Sequence, residues 1–379
     1  MKTLKNLNLA STLYALMISA LFIPVKYKSI FGYETDYKSH IALARLWYDS
    51  HHFFGAPHFL FQLLTIIVKY IGHTSWDYAG FAVDLAFYFF AAKLILSAVE
   101  KENQQAAVNI LITTALLLSW PLFALCFLDN RVYSGYIGTN VFHNPTIVVL
   151  KPLALYIHLK IATALDTGHW KYNWRQSTMI SVMVVLASLA KPNYTIVFLP
   201  ALAIYFLSHA GFRHRALWTK IIGYAILPAV AILVAQFCIR FGKLGSSQGP
   251  SKIIFAPFMV QNYHSKYLLG KFLLSIAFPL SVLSLYFRTI WNDKTMQFAW
   301  ICFSIGVFYT YFLAEMPDMA SGNFGWCSQI SLFILFIQSS LFLLKNWRIK
   351  GIVGLIPFII LVLHAAFGIF AYLHADGIS

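Results

Sequence analysis

The chain has 379 residues, of which 59% are hydrophobic and 11% charged, and its mean hydropathy is +0.69. Soluble domains carry roughly 25% charged residues, so this composition excludes a water-soluble enzyme and a disordered, coiled-coil or collagen-like chain. Basic loops that fix membrane topology explain the formal net charge of +15, and we expect no nucleic-acid partner.

Apolar runs follow one another along the whole chain, continuous rather than alternating. A helix needs roughly 20 mostly apolar residues to cross a bilayer, so the runs predict an all-α, polytopic membrane protein with about 11 transmembrane helices. We expect a single integral membrane domain, residues 1–379, without a soluble domain. The runs lie at about 7–25, 55–72, 76–99, 106–128, 146–165, 177–190, 194–209, 216–239, 267–287, 296–313, 324–344 and 350–373.

Loop charges predict the topology. The basic N-terminus precedes an uncleaved signal anchor and is predicted to be cytoplasmic, like the loops at 100–105, 166–175, 209–215, 288–295 and 345–350. Cytoplasmic and outer loops then alternate along the chain, provided that the run 55–72 forms a juxtamembrane or re-entrant helix instead of a full span. The outer loops are then 26–54, 129–145, 240–266 and 314–323.

The runs 177–190 and 194–209 are too short to cross a bilayer upright. The turn between them, Lys191-Pro192-Asn193, predicts a hairpin that stops before the far face. Irregular backbone at membrane depth is tolerated only inside protein or beside a water-filled cavity. The pair therefore predicts a cavity that opens to the outer side.

The first outer loop contains Asp36 and His40, which share one face of a helix because they are four residues apart. The stretch 37–48 is amphipathic and predicts a juxtamembrane helix. A carboxylate held at the membrane surface is suited to act as a general base. The alternative is that Asp36 only caps the helix.

Residues 5–100 resemble the GT-C superfamily of membrane glycosyltransferases, which use polyprenyl-phosphate sugars. One N-terminal helix precedes Asp36 in ETDYKSHIALARLW, and the run GAPHFLFQLLTIIVKYIG and the turn HTSWDYAGF lead into a long helix. The resemblance implies a GT-C-like fold, Asp36 at the catalytic centre and inversion at the sugar. Glu34 forms E-x-D with Asp36, so these two are the ligands if a divalent metal takes part; no cofactor is certain.

Further polar residues lie in the predicted outer segments. Glu315 or Asp318 is a candidate second carboxylate, and Asn323 and Trp326 open the next helix, where a tryptophan can stack on a sugar. His143 and Asn144 precede Pro145, a pattern typical of a helix cap that can also place donors near an anion.

Lys151 and Lys191 are candidate partners of the donor phosphate, because lysines at membrane depth face cavities or anions. Arg131, Arg45 and Arg240 are weaker candidates, and the alternative for the lysines is snorkelling to the interface. Asp84, inside the run 76–99, either has a function or binds another helix.

The leading hypothesis is a glycosyltransferase that moves a sugar from a polyprenyl-phosphate donor to a glycan or lipid acceptor on the outer face of the cytoplasmic membrane. Asp36, with His40 and Glu315, would form the catalytic centre. A transporter or flippase for lipid-linked sugars is one alternative, although we find no internal repeat. The others are an accessory or polymerase subunit of cell-surface polysaccharide assembly and a membrane O-acyltransferase using His158 or His364.

Overall fold

The structure, a computed structural model, describes residues 2–32, 35–52, 57–209, 214–241, 252–317, 319 and 322–374. It is mostly helical. The longer helices are Lys2–Ala20, Asp36–Ser50, Leu60–Gly72, Trp76–Glu102, Ala106–Leu118, Pro145–Thr167, Trp174–Ala190, Asn193–Ser208, Leu227–Phe241, Leu268–Ser275, Ala277–Ile290, Lys294–Phe312, Gly325–Asn346 and Ile356–Leu373. Shorter α-, π- or 3₁₀-helical segments are Ile23–Tyr27, Lys28–Gly32, Cys126–Asp129, Arg215–Ile221, Ile222–Ile226, Met259–His264 and Trp347–Leu355.

Among the described residues, four helical stretches are long and apolar enough to cross a membrane: Trp76–Glu102, Pro145–Thr167, Arg215–Ile239 and Gly325–Leu373. The number rises to six if each of two bent pairs forms one span, so the predicted count of about 11 is not confirmed. The helix Leu60–Gly72 has 13 residues, fewer than a full crossing needs.

Both bent pairs break where a proline enters the next helix. Leu9–Ala20 and Ile23–Gly32 meet at 47°, and Leu268–Ser275 and Ala277–Ile290 meet at 70°. Pro24 and Pro279 lack the backbone N–H that would bond to the carbonyl four residues earlier, in Ala20 and Ser275 respectively. An apolar run on its own therefore predicts one straight helix where the chain forms two.

The predicted all-α class needs one correction, because two outer segments form a small antiparallel sheet. Strand Lys252–Phe255 pairs with strand Leu313–Met316, and Ile253 lies opposite Glu315. The sheet joins the predicted outer loops 240–266 and 314–323. Periodicity in one segment cannot reveal a pairing with a segment some sixty residues away.

The described parts of the predicted cytoplasmic loops lie at one end of the helices, which we call the basic end. Lys294 Nζ donates to the Asp166 carbonyl at 3.3 Å, and Tyr286 Oη donates to the Trp347 carbonyl at 3.2 Å. Segments predicted to be outside meet at the other end, which we call the cavity end. The side of the membrane that each end faces stays a prediction.

The helices Lys294–Phe312 and Gly325–Asn346 approach each other closely at Gly306. A Cβ atom there would come within 2.4 Å of Ser331 Oγ and 2.7 Å of the Cys327 carbonyl oxygen. Small residues allow such close backbone contact between membrane helices. This contact fixes the first turns of Gly325–Asn346, which carry Trp326 into the site described next.

Candidate functional site

Asp36 is the first residue of its helix, not the cap. Thr35 is the N-cap, and its Oγ1 accepts from the Tyr37 backbone N–H at 3.3 Å. The Asp36 carboxylate instead accepts from Asn144 Nδ2 at 2.6 Å. The predicted helix over 37–48 is confirmed, and its apolar face, with Ile41, Ala44 and Trp47, packs inside the protein. The carboxylate is therefore held by a second segment of the chain.

Asn144 caps a helix, as predicted, and also holds Asp36; its role in binding a substrate anion stays a prediction. Its Oδ1 accepts from the Ile147 N–H at 3.2 Å and from Thr146 Oγ1 at 2.7 Å, and so caps the helix Pro145–Thr167. Its Nδ2 is left to donate to Asp36. The cap fixes the direction of the amide, and the amide in turn orients the carboxylate.

Asp36 lines a cavity of about 310 Å³, which we call the polar cavity. Gln329 Nε2 donates to Tyr133 Oη at 3.1 Å at its wall, while the buried Gln329 Oε1 has no hydrogen-bond partner among the described residues. A buried acceptor without a partner is costly unless a ligand or water supplies a donor. The lining residues are Asp36, Tyr133, Ser134, Gly135, Tyr136, Ile137, His143, Val260, Gln261, His264, Thr310, Gly322, Gly325, Trp326, Ser328 and Gln329.

Aromatic rings form one side of the polar cavity. The His143 ring centroid lies 5.7 Å from that of Tyr133 and 6.3 Å from that of Trp326. Burial lowers the pKa of His143, although the Asp36 carboxylate opposes this shift. The imidazole is therefore neutral at pH 7 and can both donate and accept a hydrogen bond.

Lys191 lies over the ring of Trp326. Its Nζ is 4.4 Å from the Trp326 ring centroid and donates to Thr146 Oγ1 at 3.1 Å. Burial lowers the pKa of Lys191 to about 8, against the opposing effect of Asp36. In the part of the chain that the structure describes, no carboxylate forms an ion pair with this ammonium group. The group is therefore a buried cation available to an anionic ligand.

A second cavity, of about 520 Å³, begins at Lys191, and we call it the apolar cavity. Its lining residues are Pro57, His58, Lys191, Pro192, Asn193, Ile196, Leu233, Gln236, Phe237, Ile253, Glu315, Asn323 and Phe324. Its apolar part comes from Ile196 and from Leu233 and Phe237 of the helix Leu227–Phe241. The cavity therefore joins a buried cation to an apolar surface.

Glu315 lines the apolar cavity and not the polar one. Its Oε2 accepts from Asn323 Nδ2 at 3.0 Å, and the Asn323 carbonyl accepts from Asn193 Nδ2 at 3.0 Å. Glu315 and Asp36 therefore line different cavities, and the role of Glu315 as a second catalytic carboxylate stays a prediction. Asp318, Glu34 and the Arg240 side chain lie outside the described residues.

A buried ionic group lies directly behind the polar cavity. Lys26 Nζ donates to Tyr37 Oη at 2.7 Å and to the Phe142 carbonyl at 2.8 Å, and lies 3.4 Å from Asp84 Oδ2. Tyr37 Oη also donates to Asp84. Tyr37 and Phe142 are the chain neighbours of Asp36 and His143, so one cation positions both segments. Asp84 is thus a helix-binding residue, the second of its two predicted roles.

Another ion pair holds the loop that supplies Ser134 to the polar cavity. Lys271 Nζ contacts Asp129 Oδ2 at 2.6 Å and donates to the Ser134 carbonyl at 3.1 Å. The sequence analysis missed both this pair and the Lys26 group. Asp84 indicates that the Lys26 group exists, because a carboxylate in an apolar run requires a partner.

Other predicted residues lie outside both cavities. His40 Nδ1 is hydrogen-bonded to Gln62 Nε2 at 2.7 Å, and burial lowers its pKa to about 4. The exposed Arg45 pairs with Asp49 at 3.4 Å. These contacts give His40 and Arg45 local structural roles.

Arg131 is exposed, and its backbone N–H donates to the Asp129 side chain. Lys151 is buried, donates to Asn140 Oδ1 at 2.6 Å and lies over the Phe333 ring. Among the described residues no group of three or more His, Cys, Asp or Glu side chains could hold a metal ion.

Comparisons of the chain with protein-family models, curated protein sequences and solved structures found no match. The functional argument therefore rests on the site itself.

Proposed function

We propose that the chain is an integral-membrane glycosyltransferase that uses a polyprenyl-phosphate sugar as donor. The acceptor is a glycan or lipid, and the reaction takes place on the outer face of the cytoplasmic membrane. The observation that carries the proposal is the pair of adjoining cavities. The Asp36 carboxylate lines the polar cavity. The buried ammonium group of Lys191 lines the apolar cavity and lies 4.4 Å from the ring centroid of Trp326, which lines the polar cavity.

The two cavities match the two parts of such a donor. The polyprenyl chain fits the apolar cavity, and its phosphate fits beside Lys191, whose charge attracts an anion. The sugar then extends past Trp326 into the polar cavity, where His143 offers hydrogen bonds to the sugar and Gln329 offers hydrogen bonds to the acceptor. A tryptophan ring can stack on a ligand, such as a sugar, that has an apolar face and polar edges.

The reaction needs one base and one charge-stabilising group. Asp36 accepts the proton of the acceptor hydroxyl as the hydroxyl oxygen attacks the anomeric carbon of the donor sugar. The bond between that carbon and the phosphate oxygen breaks, and the phosphate leaves with the electron pair. Lys191 stabilises the charge that develops on the leaving group. Attack opposite the phosphate gives inversion.

The rival hypotheses receive less support from the geometry. Transporter sites lie near the bilayer midplane, whereas Asp36, His143 and Trp326 cluster where helices begin, at the cavity end. An O-acyltransferase would need an accessible histidine. His158 and His364 are fully buried and line neither cavity.

The test is transfer from a panel of polyprenyl-phosphate hexoses and pentoses by the chain in nanodiscs, measured as release of polyprenyl phosphate. Asp36→Asn keeps the size of the side chain and removes the base, so we expect release to fall by about 10²–10⁴-fold. The matched control is Asp49→Asn, an exposed carboxylate on the same helix, which should retain activity. Equal turnover by the Asp36→Asn variant and the wild type would rule out this mechanism.

A further inference from the structure

A third cavity, of about 310 Å³, lies at the basic end, and we call it the basic-end groove. Its walls come mainly from the helices Ala106–Leu118 and Ile356–Leu373. The 22-residue helix Gly325–Asn346 separates its Trp347 from Trp326 in the polar cavity. At 1.5 Å per residue that helix is about 33 Å long, so the groove is remote from the candidate active site.

The groove has a buried apolar floor and an exposed apolar rim. Ile112, Ala115 and Leu361 form the floor, with exposures of 5%, 6% and 2%. Leu111 and Val362 form the rim and are 62% and 54% exposed. Since an apolar rim of this kind faces hydrocarbon in a membrane protein, the groove opens to the lipid.

The mouth of the groove is polar and cationic. Arg348 lines it together with Asn103 and Gln105, and Lys345 and Lys350 flank it in the chain. Within the described ranges none of these three cations forms an ion pair with a carboxylate. Glu100 and Glu102 end a neighbouring helix with Lys101 between them, so cations still outnumber carboxylates here.

We propose that the basic-end groove binds one anionic phospholipid of the bilayer. Its phosphate lies beside Arg348, and one acyl chain lies between the two wall helices. Basic sites between membrane helices are suited to anionic head groups.

This site does not depend on the proposed glycosyl transfer, because it is remote from both other cavities and uses none of their residues. It gives a function to the exposed cations of a loop that otherwise only marks topology. Arg175 offers a matched control. The Arg175 guanidinium lies 5.5 Å from the Trp174 ring centroid at the same end of the protein, and the Arg348 guanidinium lies 5.4 Å from the Trp347 ring centroid. Unlike Arg348, Arg175 does not line the basic-end groove.

Native mass spectrometry of the purified chain with equal amounts of phosphatidylglycerol and phosphatidylcholine, identical in acyl chains, tests the proposal. We expect the wild type to retain one phosphatidylglycerol preferentially. Arg348→Gln should reduce that preference about five-fold, from the contribution of one basic residue. Leu111→Trp should reduce retention by filling the groove while leaving the charges intact. Arg175→Gln should behave as the wild type.

Three results would overturn the proposal. One is equal retention of the two lipids by the wild type. Another is an unchanged preference in both Arg348→Gln and Leu111→Trp. The third is an equal loss of preference in Arg175→Gln and Arg348→Gln, which would indicate general attraction to the basic end. Thermal unfolding of each variant separates lost binding from lost folding.

Discussion

The polar and apolar cavities share one wall but differ in what supports them. The polar cavity is lined by loop and helix-start residues, and the ion pair of Lys26 with Asp84 lies behind it. The apolar cavity is lined by loop, turn and strand residues and by the faces of two helices, and its cation, Lys191, has no ion-pair partner among the described residues.

This difference separates structural charge from charge available to a ligand. Lys26 donates to Tyr37 and Phe142 and neutralises Asp84, so it has nothing left to offer a substrate. Lys191 donates to one hydroxyl and otherwise lies over an aromatic face. Both are buried lysines in or beside apolar runs, and only their partners distinguish them. Four predictions test this contrast, from the largest expected effect to the smallest.

Lys26→Met should have the largest effect on stability. Removing one partner of a buried ion pair leaves the other charge uncompensated and costs about 3–5 kcal/mol. The double variant Lys26→Met/Asp84→Leu should recover most of this loss, because no charge stays buried. Unfolding in detergent, followed by intrinsic fluorescence, measures the free energies. The control is Lys101→Met, at an exposed lysine. If Lys26→Met lowered the free energy of unfolding no more than Lys101→Met does, the charge of Lys26 would have no structural role.

Lys191→Met should weaken binding of a polyprenyl monophosphate in mixed micelles by about 10–100-fold, with little loss of stability. A hydrogen bond to a charged group contributes about 1.5–3 kcal/mol, whereas no buried carboxylate is left unpaired by this change. Titration with the lipid gives the Kd. The control is Lys160→Met, on a helix that reaches the basic end. An unchanged Kd in the Lys191 variant would remove the phosphate site from the proposal.

The pH dependence of Lys191 should have opposite signs for binding and stability. Above pH 8 the amine loses its proton, so affinity for polyprenyl monophosphate should fall by up to about ten-fold per pH unit. Between pH 8 and the ordinary value of 10.5 the unfolded chain binds more protons, so Lys191 makes the free energy of unfolding rise with pH. Lys191→Arg stays charged and should abolish both trends; their persistence in that variant would assign them to another group.

A substitution that fills or trims one cavity should weaken the binding of one ligand only, by about 1 kcal/mol, which is roughly five-fold in Kd or KM. Leu233→Trp narrows the apolar cavity and should raise the Kd for polyprenyl monophosphate. Gln329→Ala removes donors and acceptors from the polar cavity and should instead raise the KM for the acceptor. Val234→Trp, at the exposed neighbour of Leu233, should change neither constant. If both cavity variants altered both constants equally, the two cavities would not bind separate parts of the reaction.

Residue patterns within one segment determined much of what the sequence could establish. Composition and run length are local properties, and they predicted a helical membrane chain. The spacing around Asp36 predicted the amphipathic helix that the structure contains, and Asn144 before Pro145 predicted a helix cap. The count of about 11 spans is not confirmed, because helices such as Ala106–Leu118 and Asn193–Ser208 are short and prolines such as Pro279 bend other runs.

Tertiary structure alone decided which polar groups meet. Asp36 and Asn144 are 108 residues apart, and Lys26 and Asp84 are 58 apart, so no local pattern records their contacts. The structure also separated Glu315 from Asp36, although both are carboxylates in predicted outer loops. The physical reason is that a side chain's role follows from its partners, its burial and the space beside it. Position in or between apolar runs predicted the buried charges of Asp84, Lys151 and Lys191 but not those of Lys26 and Lys271, and the packing of distant segments decided which of them a ligand can reach.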